Sequence, residues 1–129
     1  MKAVKLALGG KLHYLAFNGE AMFTIKENFG SAEALLDTIG LETKEAFHSL
    51  CEAVALLAEQ GELARRDLNY TPERIYTAAE FRTLAAPSDI INMKQAIPQA
   101  ITLGFGREVE VEAGDVDLTL AELDQKKTT

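Results

Sequence analysis

Residues 43–60 read TKEAFHSLCEAVALLAEQ. Phe47, Leu50, Cys51, Val54, Leu57 and Ala58 recur at three- and four-residue spacing, which places them on one stripe of a helix. Thr43 stands where a hydroxyl can accept from a free N–H of the first turn, and Glu42 and Glu45 lie near the positive end of the helix dipole. About five turns with a continuous apolar stripe predict the central core helix. Gly61 leaves two outcomes open, a stop at that residue or continuation through Leu63 and Arg66.

Upstream of that helix the period changes. Val4, Leu6 and Leu8 alternate with Lys5 and Ala7, the pattern of a half-buried strand. Gly9-Gly10 supplies a two-residue turn, and Leu12 to Phe17 returns along the first run, so residues 3–17 predict a β-hairpin closed by Asn18-Gly19. Ala21, Met22, Ile25 and Phe29 then predict a helix ended by Gly30. Ser31 is placed to cap a short helix through Leu35 and Leu36, broken by Gly40.

Downstream, Asn69-Tyr70-Thr71-Pro72 marks a turn. Thr77-Ala78-Ala79-Glu80 matches a capping box and predicts a short helix through Phe81 and Leu84 that stops before Pro87. A last helix, capped by Ser88 or Asp89, carries the stripe Ile90, Met93, Ile97, Ala100, Ile101 and Gly104, with Pro98 expected to kink it or restart it. The fold class expected is therefore α+β and mostly helical, an N-terminal hairpin packed on a bundle of four to five helices. Residues 1–106 form the single compact domain, with helices between 20 and 104. Residues 107–129 read as an acidic, mobile tail, because 108–124 carry seven carboxylates and no Lys or Arg. Within it, Glu108, Glu110 and Glu112 alternate with Val109 and Val111, a pattern open between a short edge strand and coil. Val116, Leu118, Leu120 and Leu123 form one amphipathic stretch.

The chain has 129 residues, of which 47% are hydrophobic, enough for one packed core. Its formal net charge of -7 opposes binding to nucleic acid or to an anionic membrane. One cysteine allows no internal disulfide, and neither an apolar leader nor a run of about 20 apolar residues is present. A cytoplasmic protein is expected.

Residues suited to chemistry are few. His48 and Cys51 lie three apart on one helix, but a zinc site needs further N/S ligands and His13 is the only other imidazole. Cys51 belongs to the apolar stripe, which suits a packed thiol better than a nucleophile. The carboxylates read as solvated charge, and Gly9-Gly10 and Gly104-Phe105-Gly106 lack the phosphate-loop pattern. Arg65-Arg66 reads as a solvated helix end rather than a docking pair. Phe17, Phe23, Phe29, Phe47, Phe81 and Phe105 are spaced as core anchors, with one or two left for a partner. No catalytic, cofactor or metal residue is expected, and the protein-binding residues are not assignable from the pattern.

Several segments carry a resemblance. Val4-Lys5-Leu6 through Tyr14-Leu15-Ala16-Phe17-Asn18 resembles the opening hairpin of the small tail assembly chaperones of long-tailed phages and prophages, in their short, pre-frameshift form. Met22 to Phe29 resembles the first helix of that family. Thr77 to Leu84, with Pro87-Ser88-Asp89, resembles its paired C-terminal helices, and Ala96-Ile97 with Ala100 to Phe105 their ending. Val116 to Leu123, followed by Lys126-Lys127, is similar to its acidic C-terminal segment. The resemblance implies a non-catalytic protein that binds the tape-measure protein, keeps it soluble and helps recruit tail-tube subunits. It further implies self-association, a host-cytoplasm location, absence from the mature virion, and a longer frameshifted product that carries the tube-protein contact. Lys126-Lys127 is compatible with a slippery codon pair. The alternative is a structural virion component, a head–tail connector or tail terminator, which stays in the finished particle.

Overall fold

The computed structural model describes residues 2–106 and 115–117. The elements run β1 (Lys2–Leu8), β2 (Lys11–Leu15), α1 (Gly19–Phe29), α2 (Ala32–Ile39), α3 (Lys44–Asp67), α4 (Ala78–Leu84), α5 (Pro87–Gly104) and β3 (Asp115–Asp117). This is the α+β, mostly helical fold expected.

β1 and β2 pair antiparallel, with Val4 opposite Leu15 and Leu8 opposite Lys11. Gly9 and Gly10 both take positive φ, 63° and 75°, the backbone of a tight hairpin turn that a Cβ would disfavour. One sheet face buries Val4, Leu6, Leu8, Leu15 and Phe17 against the helices. The other buries Ala3, Tyr14 and Ala16 with Tyr70. The second face is covered at the Ala3 and Tyr14 end, while Ala7 and Leu12, opposite each other near the turn, stay exposed.

Each helix start follows local chemistry. Asn18 does more than close the hairpin: its Oδ1 accepts from the Ala21 N–H and caps α1. Ser31 and Thr43 do the same for α2 and α3, and Thr77 with Glu80 forms a two-way capping box on α4. α5 departs from expectation. Neither Ser88 nor Asp89 is its N-cap; Ala86 is, with Pro87 in the first turn, and the Asp89 carboxylate accepts from the Ala86 N–H at 2.9 Å. Proline at the first helical position explains the shift, since its fixed φ starts the helix two residues early. Pro98 does not restart the helix, which is continuous from Pro87 to Gly104.

The long helix also exceeds residues 43–60. α3 runs 24 residues and passes through Gly61. The glycine serves a close approach: a Cβ there would fall on the Tyr14 carbonyl. The Ala16 N–H donates to the Leu57 carbonyl at 3.0 Å, so the continuation of β2 is bonded directly to the helix backbone. Gly104 receives the Phe17 backbone in the same way. The Tyr14–Phe17 stretch is thereby held between α3 and α5.

β3 pairs with the free side of β1, with Asp115 opposite Val4 and Asp117 opposite Lys2, giving sheet order β2-β1-β3. Asp115–Asp117 therefore belongs to the sheet, whereas the sequence places it in a tail. The rest of 107–129, including the strand alternative at 108–112, lies outside the described residues.

Candidate docking groove

Cys51 is fully buried in the α3 stripe, and burial pushes its thiol up to about 11, with Glu52 adding to the rise and Arg82 opposing it. His48, one turn earlier, is only half-buried. Among the described residues, no three His, Cys, Asp or Glu side chains are grouped to hold a metal ion. With so little thiolate at neutral pH, Cys51 is expected to react with a disulfide reagent at pH 8 at least about a hundredfold more slowly than the unfolded chain. Thiol titration with and without denaturant checks this; equal rates would show an open α3 face.

His13 was not expected in a special role, yet it sits on the core face of β2 and is only 6% exposed. Its ring meets Tyr76 and Phe81 edge-on, each at 5.1 Å between centroids. Burial holds its pKa below 6.5, Lys11 adds to that, and a hydrogen bond with the Leu8 backbone opposes it. The unfolded chain therefore takes up a proton first as pH falls. Stability from this group is full above pH 6.5 and declines below it until the lower folded pKa is reached. Between pH 7.5 and 5 the native chain is expected to lose more stability than a His13→Phe variant, measured by urea unfolding at each pH. Parallel losses in the two proteins would contradict this.

His13 lines a polar cavity of about 290 Å³ with Lys11, Glu73, Arg74 and Tyr76. Charges there are matched. Lys11 bonds Glu73 at 2.7 Å and holds its carboxyl below the usual range. Arg74 pairs with Glu80 and lies 4.5 Å over the Tyr76 ring. These contacts tie down the irregular link 71–77.

Arg65 corrects the expected solvated helix end. It is 1% exposed, bonded to Glu62 at 2.5 Å, and its guanidinium lies 5.5 and 5.4 Å from the Tyr14 and Tyr70 ring centroids. Arg66, which is more exposed, bonds the other Glu62 oxygen at 2.9 Å.

A larger, more apolar cleft lies elsewhere, between α1, α2 and the C-terminal half of α5. It measures about 530 Å³ and is lined by Met22, Ala32, Leu36, Pro98, Ile101 and Phe105, with Lys26 and Glu33 on its rim. Sequence chemistry builds it. Gly30, at φ 92°, ends α1, and Ser31 at once caps α2, so two short helices meet at a sharp corner. Ala21, Ile25, Leu35 and Ile39 fill the core beneath, which leaves Met22 and Leu36, each one position off the buried row, facing outward in part. Phe105, 50% exposed, closes one end and packs on Phe17 at 5.2 Å. Phe23 on α1 is 58% exposed. Phe23 and Phe105 are thus the two of the six phenylalanines that stand exposed. A second, smaller cleft of about 350 Å³ lies between Leu41, Phe47, Ile90 and Ile91.

Met22 and Phe105 fall in the segments that carry the family resemblance, but only the corner between α1 and α2 reveals that they share a groove. No described helix is long and apolar enough to cross a membrane. Compared with protein-family models, with curated proteins and with solved structures, the chain matches none.

Proposed function

We propose that this protein is a non-catalytic tail assembly chaperone of a phage or prophage, and that its α1–α2–α5 groove holds the apolar stripe of a tape-measure helix in the host cytoplasm. The observation that carries the reading is the groove itself. It offers Met22, Leu36, Ile101 and Phe105 along one open cleft of about 530 Å³, with charge confined to the rim. Helix-in-groove recognition needs that arrangement, and a flexible thioether such as Met22 adapts to a repetitive, varied client. Net charge of -7 keeps a coated client soluble. Many copies are needed along a long client, so self-association accompanies binding, and recruitment of tail-tube subunits follows from the coated state.

Co-expression with the tape-measure protein encoded nearby tests it. The client is expected to stay soluble and to co-purify with several copies of this chain. A Met22→Asp, Leu36→Asp double variant is expected to keep its circular dichroism and to lose at least about 90% of that solubilisation, because a carboxylate buried against an apolar stripe costs several kcal/mol. A client equally soluble with and without this protein overturns the reading. Finding the chain in finished particles would favour a structural virion component instead.

A further inference from the structure

We propose that the smaller cleft, between the α2–α3 junction and the first half of α5, is where two copies of this chain pair about a two-fold axis. Two walls form it. One carries Leu41 and Glu42, just before α3, with Phe47 on the helix itself. The other is α5, with Ile90, Ile91 and Lys94. Phe47 and Ile90 are half-buried and pack on the core. Ile91 lies one position off the buried row of Met93 and Ile97, and so projects. Leu41 and Ile91, 59% and 62% exposed, are the two most exposed large apolar side chains among the described residues, and each stands on its own wall.

Charge selects the occupant. Each wall carries one projecting aliphatic side chain and one charge, and the two charges are opposite. Neither Glu42 nor Lys94 forms an ion pair among the described residues. A two-fold contact pairs residue i with j and j with i. Set against the opposite wall of a second copy, Leu41 meets the partner's Ile91 and Glu42 meets the partner's Lys94, each twice. An axis that faced each wall with its own copy would instead bring like charges together. An apolar client helix would leave both Glu42 and Lys94 without partners. Copies at -7 repel one another over most of their surface, but this patch brings one carboxylate and one ammonium from each and adds no net charge to the contact. Four apolar residues per copy make a small interface, so the pairing is weak and depends on concentration. It gives a surface to the self-association in the functional reading, and it needs no client.

Sedimentation equilibrium of the full chain, from about 5 to about 500 μM, tests it. The average mass is expected to rise from one chain toward two. Ile91→Asp is expected to weaken the dimer at least about tenfold with circular dichroism unchanged, since Ile91 is exposed in the single chain and its carboxylate would be buried only in the pair. Lys94→Glu and Glu42→Lys are each expected to stay monomeric, because each sets like charges together twice. An equimolar mixture of those two variants is expected to pair, because every contact is then between unlike charges. Recovery in the mixture but in neither variant alone reads a contact between copies; an ion pair within one chain would not give it. A monomer at every concentration overturns the proposal. So does a dimer that all three variants leave unchanged, which places the copy–copy contact elsewhere. A chain that stays monomeric, yet loses client solubilisation on Ile91→Asp, assigns the cleft to the client and overturns it as well. Failure here leaves the chaperone reading to its own assay, whose Met22 and Leu36 line the other cleft.

Discussion

Gly61→Ala is expected to destabilise the protein by about 3 kcal/mol, against the usual sense of that change in a helix. Alanine is favoured over glycine by about 1 kcal/mol in a helix interior, and Gly61 lies well inside α3. The opposing term is steric. The added Cβ would meet the Tyr14 carbonyl oxygen and carbon, and sit 3.4 Å from the Tyr14 Cβ. Backbone cannot yield as a flexible side chain can. Relief requires β2 to move away from α3, which breaks the 3.0 Å bond from the Ala16 N–H to the Leu57 carbonyl and opens the packing of Leu15 on that helix. Overpacking of this kind costs about 1–3 kcal/mol or more, and here it falls on backbone, so the upper end applies and exceeds the propensity gain. Urea unfolding followed by circular dichroism reads the effect. Gly19→Ala is the control, since nothing lies within 4 Å of its Cβ position; it is expected to be neutral or slightly stabilising. A Gly61→Ala midpoint at or above the native one would show that α3 and the hairpin do not touch as described.

Gly61 also shows where sequence reading ends. A glycine after an apolar stripe signals a helix stop or a close approach with equal force, and only the neighbour decides. That neighbour, Tyr14, is 47 positions away in the sequence. Local signals fared better. The hairpin at Gly9-Gly10, the caps at Ser31, Thr43 and Thr77, and the stop at Gly30 rest on side chains that act within about four residues, and all are present. The sequence marks Pro87 only as a stop for α4, yet it also opens α5, because a proline that ends one helix suits the first turn of the next.

The groove was less legible than the fold for a related reason. Hydrophobic periodicity identifies the row that faces the core, and Ala21 and Ile25 obey it. It says nothing of apolar residues one position aside, such as Met22 and Leu36, whose exposure depends on how α1 and α2 meet. The two-residue Gly30-Ser31 junction fixes that corner. A short helix-helix junction with an apolar residue beside each core row is the signal that was available, and it marks a cleft more specifically than exposed phenylalanines do.

Glu62→Ala is expected to cost about 4 kcal/mol. Read as a sequence, Glu62 to Arg66 is a charged helix end, and surface pairs at such spacing contribute about 0.3–0.5 kcal/mol. Burial changes the scale. Glu62 is 7% exposed and Arg65 1%. The carboxylate accepts from Arg65 at 2.5 Å, from Arg66 at 2.9 Å and from the Glu73 N–H at 2.7 Å. Alanine removes both acceptor oxygens and with them all three bonds. The Arg65 guanidinium then keeps its place between Tyr14 and Tyr70 without the carboxylate that balances its charge, and the link at 71–77 loses one of its ties to α3. Removing one member of a buried pair costs about 3–5 kcal/mol, whereas replacing both by apolar groups of similar volume is close to neutral. Three variants separate charge from packing. Glu62→Gln keeps the shape and one acceptor, and is expected to fall between the native chain and Glu62→Ala. The double variant Glu62→Leu, Arg65→Met is expected to recover at least half of the loss, because no buried charge remains to be compensated, though the Glu73 N–H stays unsatisfied. Urea midpoints in that order establish that the pair matters by mutual compensation. A double variant no better than Glu62→Ala would instead locate the whole effect in the tie to Glu73, and a Glu62→Ala cost under about 1 kcal/mol would mean that the pair is solvated after all.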